Sequence, residues 1–333
     1  MTQTQTQPHT HTRPQRDLAG YRVVLVHAHP DDEAITTGGT IATLTARGAD
    51  VLVVTCTLGE EGEVIGEPYQ HLVADEANQL GGFRIHELRA SLAALGARGT
   101  FLGGAGRFRD SGMEGSAASQ HSRAFVNSGD TAVDALAAIF TAERPHVVIT
   151  YGPDGGYGHP DHIRAHEITH AAAKLTDIPR ILWAVRLEHE TAALMPTEAP
   201  AGWRLPQPGE LDGVSSSDLS ISLNDASYSA KVQSMRAHAT QLWIADGQVT
   251  DVNPHAALPA TVSSAVHVSA THLSATVSSA AAQPVVYYAL SNLIVQPIQR
   301  VEHFQLGEGA PLPTEDNGAV AGDAAALFAG IDK

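Results

Sequence analysis

From Tyr21 onward, short apolar runs rich in Val, Ile and Leu alternate with stretches of helical spacing, and this alternation constrains the fold most. Runs such as Arg22-Val23-Val24-Leu25-Val26, Val51-Leu52-Val53-Val54 and Val147-Val148-Ile149-Thr150 are apolar on both faces. Strands covered by helices on both sides must read that way. The order strand, helix, strand predicts an α/β fold: a Rossmann-like, mostly parallel sheet with helices on both faces, plus a smaller C-terminal α/β appendage. Strands are expected at about 21–28, 51–57, 99–102, 146–150, 181–185, 219–223 and 285–290. Helices are expected from Glu33 to Arg47 and over about 71–95, 130–143 and 226–241. The second of these rests on Leu72, Glu76, Leu80, Leu88, Leu92 and Leu95 at roughly helical spacing.

Composition sets the outer limits. The 333 residues, 43% hydrophobic, suffice for one large α/β domain with an appendage. Residues 1–17 read as a disordered tail and 18–190 as a metal-binding catalytic core. Residues 191–307 read as an extension completing the domain, interrupted by a low-complexity insertion at 255–284, and 308–333 as a flexible tail. The Gly103–Asn127 loop is far longer than a connector needs, which marks it as functional or disordered. No apolar run reaches the ~18 residues of a membrane helix, and the first 17 lack the apolar stretch of a signal peptide. The net charge of −16 argues against nucleic acid or an anionic membrane as partner. The single Cys56 precludes an intrachain disulfide, which fits a cytoplasmic protein.

Two motifs carry the chemistry: His29-Pro30-Asp31-Asp32-Glu33 after the first strand, and His159-Pro160-Asp161-His162 shortly after the strand at 146–150. Both would stand at the carboxyl ends of strands, where open α/β sheets build their sites. Pro and acidic residues there also suit ordinary helix starts, but that reading leaves a His before each Pro, and His162, unexplained. Two imidazoles and a carboxylate suit a zinc site with one position open to water, and His29, Asp32 and His162 can face one point. On chemistry alone Asp31 could replace Asp32, and His159 could replace His162. A second carboxylate must move protons, and Asp31 suits that role. His159 would set a cationic donor against a developing oxyanion, Asp161 would tune it, and Tyr157 lies in a Gly-rich loop that permits close approach.

With Ala28 before the first motif and Gly158 before the second, the pair resembles the LmbE-like (PIG-L) family of zinc-dependent N-acetylglucosamine deacetylases. Further stretches are Leu58-Gly59-Glu60-Glu61-Gly62-Glu63, Asp75-Glu76-Ala77-Asn78-Gln79-Leu80, Arg109-Asp110-Ser111-Gly112-Met113 and Met235-Arg236-Ala237-His238-Ala239-Thr240-Gln241. They point to the actinobacterial branch, which acts on N-acetylglucosaminyl-inositol in mycothiol biosynthesis. The resemblance spans about 20–250 and 285–305. It implies His29, Asp32 and His162 as ligands of one zinc per chain, with Fe2+ or Co2+ also suited to the donors. It makes Asp31 the general base and acid, His159 the oxyanion stabiliser, Asp161 its modulator and Tyr157 an assistant. Arg84, Asp110 and Met113 would line the site for a small-molecule glycoside. His238, before Thr240-Gln241, either approaches the site or lies on a helix surface.

Two other functions compete. A mycothiol S-conjugate amidase has the same metal motifs, although Thr36-Thr37-Gly38-Gly39 looks more like the deacetylase. A non-catalytic metal-dependent sugar-binding protein would have no need of Asp31 or His159. A Rossmann dehydrogenase is disfavoured, because no Gly-x-Gly-x-x-Gly follows the first strand.

Overall fold

In the computed structural model, which describes residues 16–249, 285–313 and 322–333, the alternation forms one seven-stranded sheet. The insertion at 255–284 and residues 1–15 of the expected tail lie outside the described residues. In chain order the elements begin β1 (Arg22–His27), α1 (Asp32–Ala46), β2 (Asp50–Thr55), α2 (Leu80–Leu95) and β3 (Arg98–Phe101). There follow α3 (Gly129–Glu143), β4 (Val147–Tyr151), α4 (Pro160–Lys174), β5 (Arg180–Val185) and α5 (Glu188–Leu194). The last are β6 (Leu219–Ser222), α6 (Asp225–Ala237), β7 (Trp243–Ile244), β8 (Tyr287–Ala289), β9 (Gln296–Pro297) and β10 (Val301–Gly309).

The sheet order is β3-β2-β1-β4-β5-β10-β6. Its first five strands run parallel, and β10 is antiparallel to both neighbours. Alternation along β1 divides the interior: Val23 and Leu25 join one core, Val24 and Val26 the other. The first core is covered by α1, α2 and α6, the second by α3 and α4. Each fully buried aliphatic side chain stabilises the fold by about 1.5–3 kcal/mol before entropy is counted. Chain order reverses between β1 and β4, so the switch point lies directly beyond His27 and Tyr151. A separate antiparallel sheet, β7-β8-β9, packs Trp203, Ala245, Tyr287, Ala289 and Val295 in the C-terminal part. Among the described residues no helix is long and apolar enough to cross a membrane.

Three expectations meet a different arrangement. The helix expected over 71–95 is a 3-10 turn at Glu67–Leu72, then turns, then α2. Asn78 adopts φ 51°, a left-handed conformation that no α-helix continues through. The helix expected over 226–241 stops at Ala237. In the expected flexible tail, β10 runs to Gly309, and Ala324, Leu327, Phe328 and Ile331 join the main core. Buried Arg180 donates to the carbonyls of Ala310, Pro311, Leu327 and Ala329 and so holds that segment against β5.

One contact binds the first helix to the last strand. Glu302 of β10 accepts from the Gly39 and Thr40 N–H groups of α1 at 2.9 and 2.6 Å, and Lys231 of α6 pairs with it at 2.6 Å.

Candidate active site

After β1 the chain turns through Ala28, His29, Pro30 and Asp31 before α1 begins. Asp31 makes that turn with φ 117° and ψ −29°, a conformation that costs a non-glycine residue about 1–3 kcal/mol. Opposite it, β4 ends at Tyr151. The Tyr151 hydroxyl accepts from the Ala28 N–H at 2.8 Å and donates to Asp32 Oδ2 at 2.6 Å, pinning the turn to the neighbouring strand. The loop 152–158 then leads to His159, the N-cap of α4, whose Nδ1 accepts from the Asp161 N–H at 3.1 Å. Gly155 is required within that loop: its φ is 69°, and a Cβ there would lie 2.8 Å from His162 Cβ.

Three of the expected side chains converge. His29 Nδ1 lies 3.3 Å from His162 Nε2 and 3.5 Å from Asp32 Oδ2, and His162 Nε2 lies 3.4 Å from Asp32 Oδ1. Donors about 2.0–2.1 Å from a tetrahedral zinc ion stand about 3.3 Å apart, so this spacing fits one such cation. The far atoms are already committed. His29 Nε2 meets Asp161 Oδ2 at 3.3 Å, and His162 Nδ1 meets the Gly155 carbonyl at 3.0 Å. Asp32 Oδ2 takes the His29 N–H at 2.8 Å as well as Tyr151. When neutral and with its far nitrogen donating, each imidazole turns a lone pair towards the common point. His159 also brings a nitrogen within 4.8 Å of those of His29 and His162.

Buried acids dominate the electrostatics: Asp31, Asp32, Asp110 and Asp161 are all buried near His29. Burial opposes a charge on His29, yet Asp110, Asp161 and Asp32 hold its pKa well above the imidazole range. Burial would raise Asp32, but His162 and His29 hold it well below the usual carboxylate range. Asp31 behaves differently. Burial, reinforced by Asp32 and opposed by Arg84, pushes it up to about 7. Burial and the neighbouring His29 and His162 press His159 down to about 3. His159 is therefore neutral, with its proton on Nε2 because Nδ1 accepts a backbone N–H. That is a neutral donor where the sequence reading expects a cationic one.

The remaining expected residues fall at different depths. Asp110 is buried, with Oδ1 3.6 Å from His29 Nε2. The sequence reading pairs Asp161 with His159, but the Asp161 carboxylate faces His29 and the Ser111 N–H (3.0 Å). Arg84 is 3% exposed and meets the site only at Asp31, 3.1 Å away. Its Nη1 and Nη2 donate to the carbonyls of Gly59 and Pro30. Met113 (55% exposed) and Tyr157 (53%) stand open to solvent, with the Tyr157 ring 4.9 Å from that of His162.

Two participants are not legible as such, Tyr151 and Glu33, while His238 is expected either near the site or on a helix surface. Tyr151 ends an apolar run and reads as core. Glu33 reads as a helix-start acid, and nothing in the sequence pairs it with His238, yet both are fully buried and bonded at 2.7 Å.

An α/β sheet whose switch point gathers imidazoles and carboxylates in this way is the build of a metal-dependent hydrolase. Residues 24–173 match the family GlcNAc-PI de-N-acetylase (PIG-L). A 1D-myo-inositol 2-acetamido-2-deoxy-alpha-D-glucopyranoside deacetylase of Corynebacterium diphtheriae is 58% identical over 303 residues, 90% of this chain and 98% of that protein. The deacetylase of the same name from Corynebacterium efficiens is 59% identical over 309 residues, 92% of this chain and 94% of that protein. Its namesake in Rhodococcus erythropolis is 46% identical over 316 residues, 89% and 94% of the two chains. The chain belongs to the PIG-L family and is an enzyme of the deacetylase class.

Proposed function

We propose that this enzyme hydrolyses the acetamide of N-acetylglucosaminyl-inositol in mycothiol biosynthesis, releasing acetate and glucosaminyl-inositol. The chemistry is carried by one observation: Asp31, poised near neutrality, stands beside three donors spaced for a single metal ion. The choice of substrate follows the relatives' names over nearly their whole length.

His29, Asp32 and His162 would hold one zinc ion per chain, with Fe2+ or Co2+ suited to the same donors. Such an ion would polarise the acetamide carbonyl and acidify water to a pKa of about 7. Asp31 accepts a proton from the attacking water and returns it to the departing nitrogen, which needs a base that titrates near the working pH. The His159 Nε2–H donates to the carbonyl oxygen as it gains negative charge, and a neutral donor serves this purpose. Asp161 holds His29 in orientation, and Arg84 keeps Asp31 aimed. Tyr157 assists from the open side, and Asp110 and Met113 contact the sugar and inositol of this small glycoside. The reaction takes place in the cytoplasm, which suits the buried, unpaired Cys56.

Acetate release tests this reading. Purified protein with zinc should liberate acetate from N-acetylglucosaminyl-inositol, lose that activity in chelator and regain it on adding metal. Metal-replete protein that binds the glycoside without releasing acetate would be the non-catalytic binder instead. Faster turnover of a mycothiol S-conjugate would reassign it as the amidase.

A further inference from the structure

We infer that Glu33 and His238 are positioning residues that hold the strained turn at Asp31. This rests on the reading of Asp31 as the base. Asp31 lacks a side-chain cap hydrogen bond at the start of α1, and its backbone conformation is one that non-glycine residues avoid. Something must hold it there. Its backbone N–H donates to Glu33 Oε2 at 3.0 Å. The other oxygen of that carboxylate is gripped from elsewhere: His238 Nε2 lies 2.7 Å from Glu33 Oε1, and Ser91 Oγ donates to it at 2.5 Å. Glu33, His238 and Ser91 are all fully buried, so water cannot replace a lost partner.

His238 is itself fixed. It closes the C-terminus of α6, and its carbonyl accepts from Gln241 and Leu242. In the same turn the Thr240 carbonyl accepts from Ile65, and Thr240 donates twice to Glu87 of α2. The turn 238–241 thus braces the catalytic turn through Glu33 and the 59–65 loop through Ile65. Its work on Asp31 is geometric: the carboxylate of Glu33 fixes the peptide that aims Asp31, and His238 fixes Glu33.

The test compares two linear side chains of similar size, one able to donate and one not. His238→Gln retains an N–H for Glu33, and His238→Met fills the space without one. With the protein zinc-loaded, we expect His238→Gln to stay within about fivefold of the parent kcat. His238→Met should fall at least tenfold below His238→Gln, with KM within twofold and one metal per chain in both. A His238→Met enzyme matching His238→Gln in kcat overturns the inference, as does a loss confined to KM or metal content. Should neither variant fold, Ser91→Ala takes their place. A threefold or greater fall in kcat at unchanged KM supports the inference, and kcat within twofold of the parent overturns it. Asp31→Asn, run alongside, separates the two claims. If it keeps its turnover, the role of Asp31 itself fails; if only it loses turnover, the bracing alone fails.

Discussion

At the scale of the residue, Asp31 is the side chain whose ionisation should govern the rate. A base works only when deprotonated, and burial holds Asp31 near 7, so kcat/KM should rise with pH and level off above that midpoint. A cation beside it favours the carboxylate, which moves the midpoint to 7 or below. Asp31→Asn should bind metal normally, lose about 10²–10⁴-fold in turnover and lack the acid limb in what remains. A pH–rate profile of both proteins, with metal content measured, checks this. An unchanged limb in the variant would assign it to another group. Of the site's residues, His29, Asp32 and His162 were readable because short-range signals place them: each follows a strand end in a compact motif. Tyr151 was not, because a tyrosine closing Val147-Val148-Ile149-Thr150 is indistinguishable from core until Asp32 is seen 2.6 Å away. The partnership of Glu33 and His238 joins residues 205 positions apart, and local spacing carries no trace of it.

At the scale of the element, the loop between β4 and α4 sets how α4 presents His162. Gly155 both accepts from His162 Nδ1 and leaves room for its Cβ. Gly155→Ala should push His162 out of register and weaken metal binding on the order of 10–100-fold, while the fold persists. Competition with a chromophoric chelator measures this, and an unaltered affinity would show that His162 adapts. Elements were readable wherever one period dominated, as in the apolar runs of β1, β2 and β4. They were misread where a single dihedral decided the outcome. Leu72 and Glu76 keep helical spacing with Leu80, but Asn78 at φ 51° breaks the helix before α2. β10 is not legible as a strand, since Val301-Glu302-His303-Phe304-Gln305 mixes charged and apolar residues without the apolar run of a buried strand.

At the scale of the whole molecule, the C-terminal residues are part of the core. Leu327, Phe328 and Ile331 are buried, and Arg180 ties their segment to β5. Burial of such side chains contributes about 1.5–3 kcal/mol each, so removing residues 323–333 should destabilise the fold by several kcal/mol. Chemical denaturation of the shortened chain reads this directly, and an unchanged midpoint would mean that the segment contributes nothing. The sequence offered Gly, Ala and Asp in this region, which average to a flexible composition. Five buried apolar positions between Ala324 and Ile331, packed into the main core, outweigh that average.

The grip of Glu302 on Gly39 and Thr40 has a consequence for biosynthesis. Its two hydrogen bonds cross 263 and 262 positions, so this anchor of the helix that carries Asp32 forms only after residue 302 has been synthesised and has emerged from the ribosome. Nascent chains stalled before residue 302 would present His29 and Asp32 of the first motif beside a helix that lacks this anchor.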